Sequence, residues 1–409
     1  MTDHGEARGW RAALAVEDFR ALWIAEMVAS AGEQLARVAM AVLVLARTGS
    51  GSLAGLTYAL TFLPAVAGPL IAGVADRYSR RAVLVIGDLA RAALAGLMAV
   101  PGLPLPLSLG LLLGLQLMAI PAKAARGAML PDILPGDLLV TGQSVRLVTQ
   151  QISQIAGFVL GGALSGIAPE AALATYAICC VGSAAVIARY VGAWSPPEAT
   201  RRGYWGSSWD VVRVIWGHAG LRVLALLASL LGVTVVPEGL AAAYVAEMGG
   251  ESWQAGLLMA ADPAGMALGA YLLGSRLISA ERRLASMGPL AAAGGLPLLV
   301  CLARPGLVVS AVMFMLAGAC TAYLVVVGAT FSRLVPVTSR GQCMGLFNSL
   351  LAGSTGVAVL AASALASLVG PAVSIAAAGA FIVTAGLVAT VLWRRVPLST
   401  VTEPKSTVG

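Results

Sequence analysis

Stretches of about 18 or more apolar residues recur from one end of this chain to the other, each long enough to cross the ~30 Å hydrocarbon layer of a bilayer. No other feature restricts the fold so sharply. The stretches predict twelve helices, near 19–46, 51–75, 82–101, 104–125, 141–167, 169–193, 220–247, 253–276, 284–303, 305–331, 339–368 and 371–394. Composition agrees. A soluble domain carries about 25% charged residues, whereas this chain has 11% charged and 59% hydrophobic. It lacks the polar surface to cover a globule in water. The ~10-residue alternation of a membrane β-barrel is absent. The expected class is an all-α polytopic membrane protein.

The net charge of +7 does not call for nucleic acid, because basic loops on the cytoplasmic side of a membrane protein produce the same excess. With the N-terminus cytoplasmic, all but four of the 26 Lys and Arg fall in cytoplasmic loops, tails or adjoining helix ends. Of the four, Arg37 and Arg91 lie within spans, and Arg47 and Arg304 reach the far side. The opposite orientation would invert that ratio, so both termini are expected in the cytoplasm. The first span is too long for the apolar core of a cleavable signal peptide and is expected to stay as a span.

A hydrophilic break over 195–220, SPPEATRRGYWGSSWDVVRVIWGHAG, divides six spans from six. The expected organisation is one half over 1–194, a linker over 195–219 and a second half over 220–409. Trp205, Trp209 and Trp216 beside Arg201, Arg202 and Arg213 suit an amphipathic segment at the headgroup level. DFRALWI (18–24) and GLRVLAL (220–226) precede the first and seventh spans, about two hundred residues apart. DRYSRR (76–81) and SRLISAERR (275–283) stand at a similar offset. Repeated halves of this kind are a transporter signature.

Several chemistries are excluded or disfavoured. Neither lysine sits in a phosphate-binding loop: Lys123 is followed by alanine and Lys405 preceded by proline. No cofactor is expected. Cys179, Cys180, Cys301, Cys320 and Cys343 form no C-x-x-C pattern and read as small packing residues. His4 and His218 lie outside the apolar runs, so no metal site is expected. No repeated filter sequence suggests a channel, and no constellation suggests an enzyme.

With these residues in view, the chain resembles the major facilitator superfamily, and within it the twelve-helix drug:proton antiporters, on the branch holding macrolide-efflux permeases and the enterobactin exporter. Asp76, Arg77, Arg80 and Arg81 match the charges of that family's loop between helices 2 and 3, with Ala72 and Ser79 at its two glycine positions. GFVLGG (157–162) matches the antiporter segment of helix 5 through Gly157, Gly161 and Gly162, with Phe158 in place of its proline. PAKAARGAMLPDILP (121–135) looks like the helix 4–5 loop of the branch and SAGEQLARVAM (30–40) like its first helix. The helix 4 arginine of many drug antiporters has no counterpart in LLLGLQLMAI (111–120), which offers only Gln116. The resemblance implies alternating access, with Asp76 as a latch onto the N-terminal turn of helix 11 near Gly341. The implied partners are an amphipathic small molecule, protons and the bilayer of a bacterial inner membrane. A monomer is expected, and an importer or lipid transporter on the same fold is the alternative.

Charged groups inside spans are costly and mark function by default. In helix 1, Glu26, Glu33 and Arg37 share a face. Glu33 is expected ~20 Å along the helix, near mid-membrane. Glu33 is read either as a protonation site tuned by Arg37 or as half of a fixed pair. Glu26 has no partner in its own helix and is read as a coupling or cation-attracting acid. Asp88 and Arg91 are adjacent on helix 3 and read as a structural or gating pair. Glu238 follows Pro237, where a helix can break, and Asp262 precedes Pro263. Glu33, Arg37, Glu26, Glu238 and Asp262 are therefore the candidates for proton coupling or substrate binding.

Overall fold

The computed structural model describes residues 10–64, 78–134, 137–192, 213, 215–274, 280–335 and 340–396. It is helical throughout these residues. The helices are α1 (Glu17–Thr48), α2 (Gly51–Leu60), α3 (Arg80–Met98), α4 (Leu105–Ile133), α5 (Asp137–Ile167), α6 (Pro169–Tyr190), α7 (Ala219–Thr234), α8 (Val236–Glu247), α9 (Ser252–Gly274), α10 (Ala280–Val300), α11 (Leu307–Thr321), α12 (Tyr323–Leu334), α13 (Arg340–Val369) and α14 (Pro371–Arg394). Two pairs form single spans. A turn at Val235, just ahead of Pro237, separates α7 from α8, and a turn at Ala322 separates α11 from α12. Counting each pair once recovers the twelve expected spans. Ten are long and apolar enough to cross a membrane by length and composition. The other two are α2, whose continuation lies outside the described residues, and α3, which carries Arg80, Arg81, Asp88 and Arg91.

The outward surface is apolar. Ile86, Ile178, Val308 and Leu368 are all exposed. A protein in water does not display large apolar side chains in such numbers, but a lipid-facing one does.

Helix 4 corrects the sequence reading. It was expected to end near 125, with 121–135 as a loop, but α4 runs to Ile133 through Pro121. The cause is an apolar stripe at helical spacing. Ala122, Ala125, Met129 and Ile133 are all buried, and together with Phe19, Leu84 and Ile187 they form one core cluster. Burial of that stripe outweighs the hydrogen bond lost at the proline.

The chain falls into two compact units. One comprises Met1–Gly49, Ala67–Arg202 and Glu251–Ala260; the other comprises Ser50–Val66, Gly203–Gly250 and Ala261–Gly409. In the first unit α1 packs on α5 and α6, α6 on α3, and α3 on α4. In the second, α7 packs on α13 and α14, α14 on α10, and α10 on α11. Span for span, the neighbours are the same in the two sets.

A pair of clamps repeats the pattern. At the end of α1, Arg47 donates to the Leu103 carbonyl at 2.6 Å and pairs with Glu170 of α6 at 3.3 Å. At the end of α8, Glu247 pairs with Arg304 and accepts from the Ala372 backbone N–H of α14 at 3.0 Å. Each residue of the second clamp lies about two hundred positions after its counterpart. The charges are exchanged, but the same three helix ends are tied.

The helix 5 glycines sit where helices touch. A side chain at Gly157 would collide with the Ala31 carbonyl of α1, one at Gly161 would lie 2.9 Å from the Leu35 Cα, and one at Gly162 2.7 Å from the Trp253 carbonyl. Small residues permit this approach. Gly161→Leu is therefore expected to destabilise the first unit by roughly 1–3 kcal/mol or more. Gly182→Ala, at a position with open space around it, is expected to change little. Thermal melting of the purified protein compares the two.

Candidate functional site

In the first unit, three acids and five bases form a continuous polar cluster at the depth of apolar helices. Glu33, 6% exposed, accepts from Arg37 Nη2 at 2.8 Å, one turn along α1, and from Lys123 Nζ of α4 at 3.4 Å. Asp88 is fully buried. It pairs with Arg91 on α3, accepts from Ser183 Oγ of α6 at 2.5 Å and meets Arg126 Nη2 of α4 at 3.4 Å. Glu26 is held by the Arg146 guanidinium of α5 through two bonds of 2.6 Å, the bidentate geometry that makes such pairs strong. Lys123 and Arg126 lie one turn apart on α4, and Glu26 and Glu33 two turns apart on α1, so the three groups adjoin.

Glu26, Met27 and Ser30 of α1 and Arg146 and Gln150 of α5 line a small cleft. Its mouth is braced by Trp23, whose ring nitrogen donates to Thr149 Oγ1 at 2.8 Å.

Within-helix spacing brings Glu33 to Arg37 and Asp88 to Arg91, as the i,i+4 and i,i+3 rules require. The partners from other helices were not visible in the sequence. Glu26, without a partner in its own helix, is paired across helices with Arg146. Gln116, which stands in the segment lacking the family's arginine, is buried. Lower on the same helix, Lys123 and Arg126 supply two cations that the shorter expected span 4 had placed at or beyond its end.

The loop charges divide. Asp76 and Arg77, and with them the expected latch, lie outside the described residues. Arg80 is on the first turn of α3, donates to the Ala128 carbonyl at 3.0 Å and pairs with Asp132. Arg81 donates to the Ala188 carbonyl near the end of α6. Both cations thus meet the C-terminal ends of neighbouring helices, where the helix dipole favours them.

The second unit contains a different constellation. Glu238, on the first turn of α8 just after the break, accepts from the Tyr58 hydroxyl of α2 at 2.5 Å. The Asp262 carboxyl of α9 lies beside Glu238. Both acids are buried, at 5% and 9% exposure. Between Arg222 and Arg276 the sequence has no Lys, Arg or His. Two buried carboxyls side by side with no basic residue in the adjoining sequence form a place where a proton can be taken up. The sequence singled out both acids but gave no reason to join them.

The sequence profile of the Major Facilitator Superfamily matches residues 22–318. The chain belongs to that superfamily. No curated protein matches it at a significant level. Its fold is similar to several solved structures of superfamily members. A bacterial homologue of the human lysosomal transporter Spinster, in an inward-facing and unoccupied conformation, superposes with a TM-score of 0.74 at 14% identity, covering 94% of this chain and 98% of that one. The nucleoside transporter NupG gives 0.72 at 12% identity, covering 92% and 99%. The peptide transporter POT in complex with sulfate gives 0.71 at 13%, covering 93% and 95%. At such identities the likeness is one of fold. This superfamily member is a multi-pass membrane protein built on the transporter fold.

Proposed function

We propose that the protein is a proton-coupled exporter of amphipathic small molecules, of the drug:proton antiporter type, working as a monomer in a bacterial inner membrane with both termini in the cytoplasm. The half over 1–194 rocks against the half over 220–409, and the linker 195–219 joins them. The observation that carries this reading is the Glu238–Asp262 carboxyl pair. The two acids are buried side by side in an apolar unit, where one proton taken up between them relieves the repulsion of like charges. A proton bound and released there in alternating states couples the gradient to the conformational cycle. Glu33 and Glu26, each bonded to cations, instead hold those cations in place in the first-unit cluster. Helix 5 supports export by resemblance, since Gly157, Gly161 and Gly162 occupy the antiporter positions, the first two seating α5 on α1 and the third on α9.

The test is transport in everted membrane vesicles from cells lacking their own pumps, energised to acidify the lumen. Accumulation of an amphipathic substrate in the lumen, abolished by a protonophore, is the expected result. Proton-driven movement in the other direction would assign an importer.

A further inference from the structure

We infer that the substrate taken by the first-unit cluster carries a negative charge and that Lys123 is its principal contact. This assignment rests on the exporter reading above and narrows its substrate class. Among the described residues of that unit, Glu33, Asp88, Arg37, Arg91 and Arg126 are buried, Glu26 and Arg146 form a quarter-exposed pair of opposite charge, and Lys123 is largely exposed. The buried members count three cations against two anions, a surplus of one. An uncompensated charge in the bilayer is costly, so the surplus calls for a mobile counter-charge. Two features indicate where it sits. Lys123 keeps 63% of its side chain exposed and touches Glu33 only at 3.4 Å, while Glu33 is already satisfied by the shorter bond to Arg37. Beside it, the buried Arg126 has an Nε–H with no acceptor. A sulfonate, carboxylate or phosphate reaching Lys123 would offset one charge of the surplus. A cation would find Glu26 and Glu33 already occupied and would meet the excess positive charge first.

Equilibrium binding tests this without a gradient. The full chain is placed in phosphatidylcholine nanodiscs, and two probes are compared: taurocholate, a monoanionic amphiphile, and tetraphenylphosphonium, a lipophilic monocation. Taurocholate is expected to bind more tightly. Lys123→Gln should weaken it about tenfold, equivalent to about 1.4 kcal/mol, and Lys123→Arg should restore it. Added salt should weaken it in the wild type. Tighter binding of the cation, no binding of taurocholate, or no effect of Lys123→Gln in a folded protein overturns the inference. Loss of the Lys123-dependent signal when phosphatidylglycerol replaces phosphatidylcholine assigns the anion to a lipid headgroup and likewise overturns it. If taurocholate binds as expected while the vesicles show no proton-driven transport, the anion site stands and the exporter reading fails.

Discussion

Proteoliposomes carrying the E238Q/D262N double variant are expected to lose all accumulation driven by a proton gradient, while still exchanging substrate across the membrane when no gradient is imposed. The side-chain amides keep the shape of the carboxyls and retain hydrogen-bonding groups. The amide introduced at position 238 retains an oxygen for the Tyr58 hydroxyl, which donates at 2.5 Å in the wild type, and an amide can donate where the shared proton stood. Packing should therefore survive, and melting should shift little compared with the loss of coupling. What disappears is the capacity to bind and release a proton. Wild-type exchange is expected to depend on pH, because the pair must load and unload in each cycle. Exchange by the double variant should be flat with pH. Counterflow and gradient-driven uptake, measured side by side, separate the two functions. Continued concentration of substrate by the double variant would remove the pair from the mechanism and return the coupling role to Glu33.

The fold was legible because a bilayer leaves few choices: backbone groups in hydrocarbon must bond within a helix or a closed barrel, and run length then counts the spans. Helix 4 was misjudged because Lys123 and Arg126 read as loop charges, although the stripe through Ala122, Ala125 and Met129 was already helical in period. At the site, pairs within one helix could be read from spacing, as with Glu33 and Arg37. The bonds from Arg146 to Glu26, from Lys123 to Glu33 and from Tyr58 to Glu238 join helices that lie far apart in the chain. Periodicity fixes the face a residue occupies on its own helix but not which helix meets that face. The sign of the first-unit cluster was missed for this reason. Its acids stood out in the apolar runs, whereas three of its five bases lay near helix ends and were counted as topology markers.

Asp88→Asn should be the most damaging single change to stability. Asp88 has no solvent exposure, and its carboxylate faces two guanidiniums, Arg91 and Arg126, as well as the Ser183 hydroxyl. Asparagine keeps the volume but removes the charge that balances them. Breaking a buried pair by removing one partner costs about 3–5 kcal/mol, because the remaining charge is left uncompensated. Here two like charges would remain close together, in a cluster that already has a positive surplus. Ser183→Ala removes only a neutral donor and should cost about 1 kcal/mol. Removing one charge of each sign, as in D88N/R91Q, should recover part of the loss, since the surplus then returns to its wild-type value. Thermal melting and the monodisperse fraction after extraction rank the three variants. The same series separates the two roles open to the Asp88–Arg91 pair. A fixed scaffold predicts that transport per folded molecule is unchanged in D88N/R91Q, because the charge balance is restored. A gate whose bonds break and reform in the cycle predicts that transport stays impaired after stability has recovered, because the pairing that distinguishes the two states is gone.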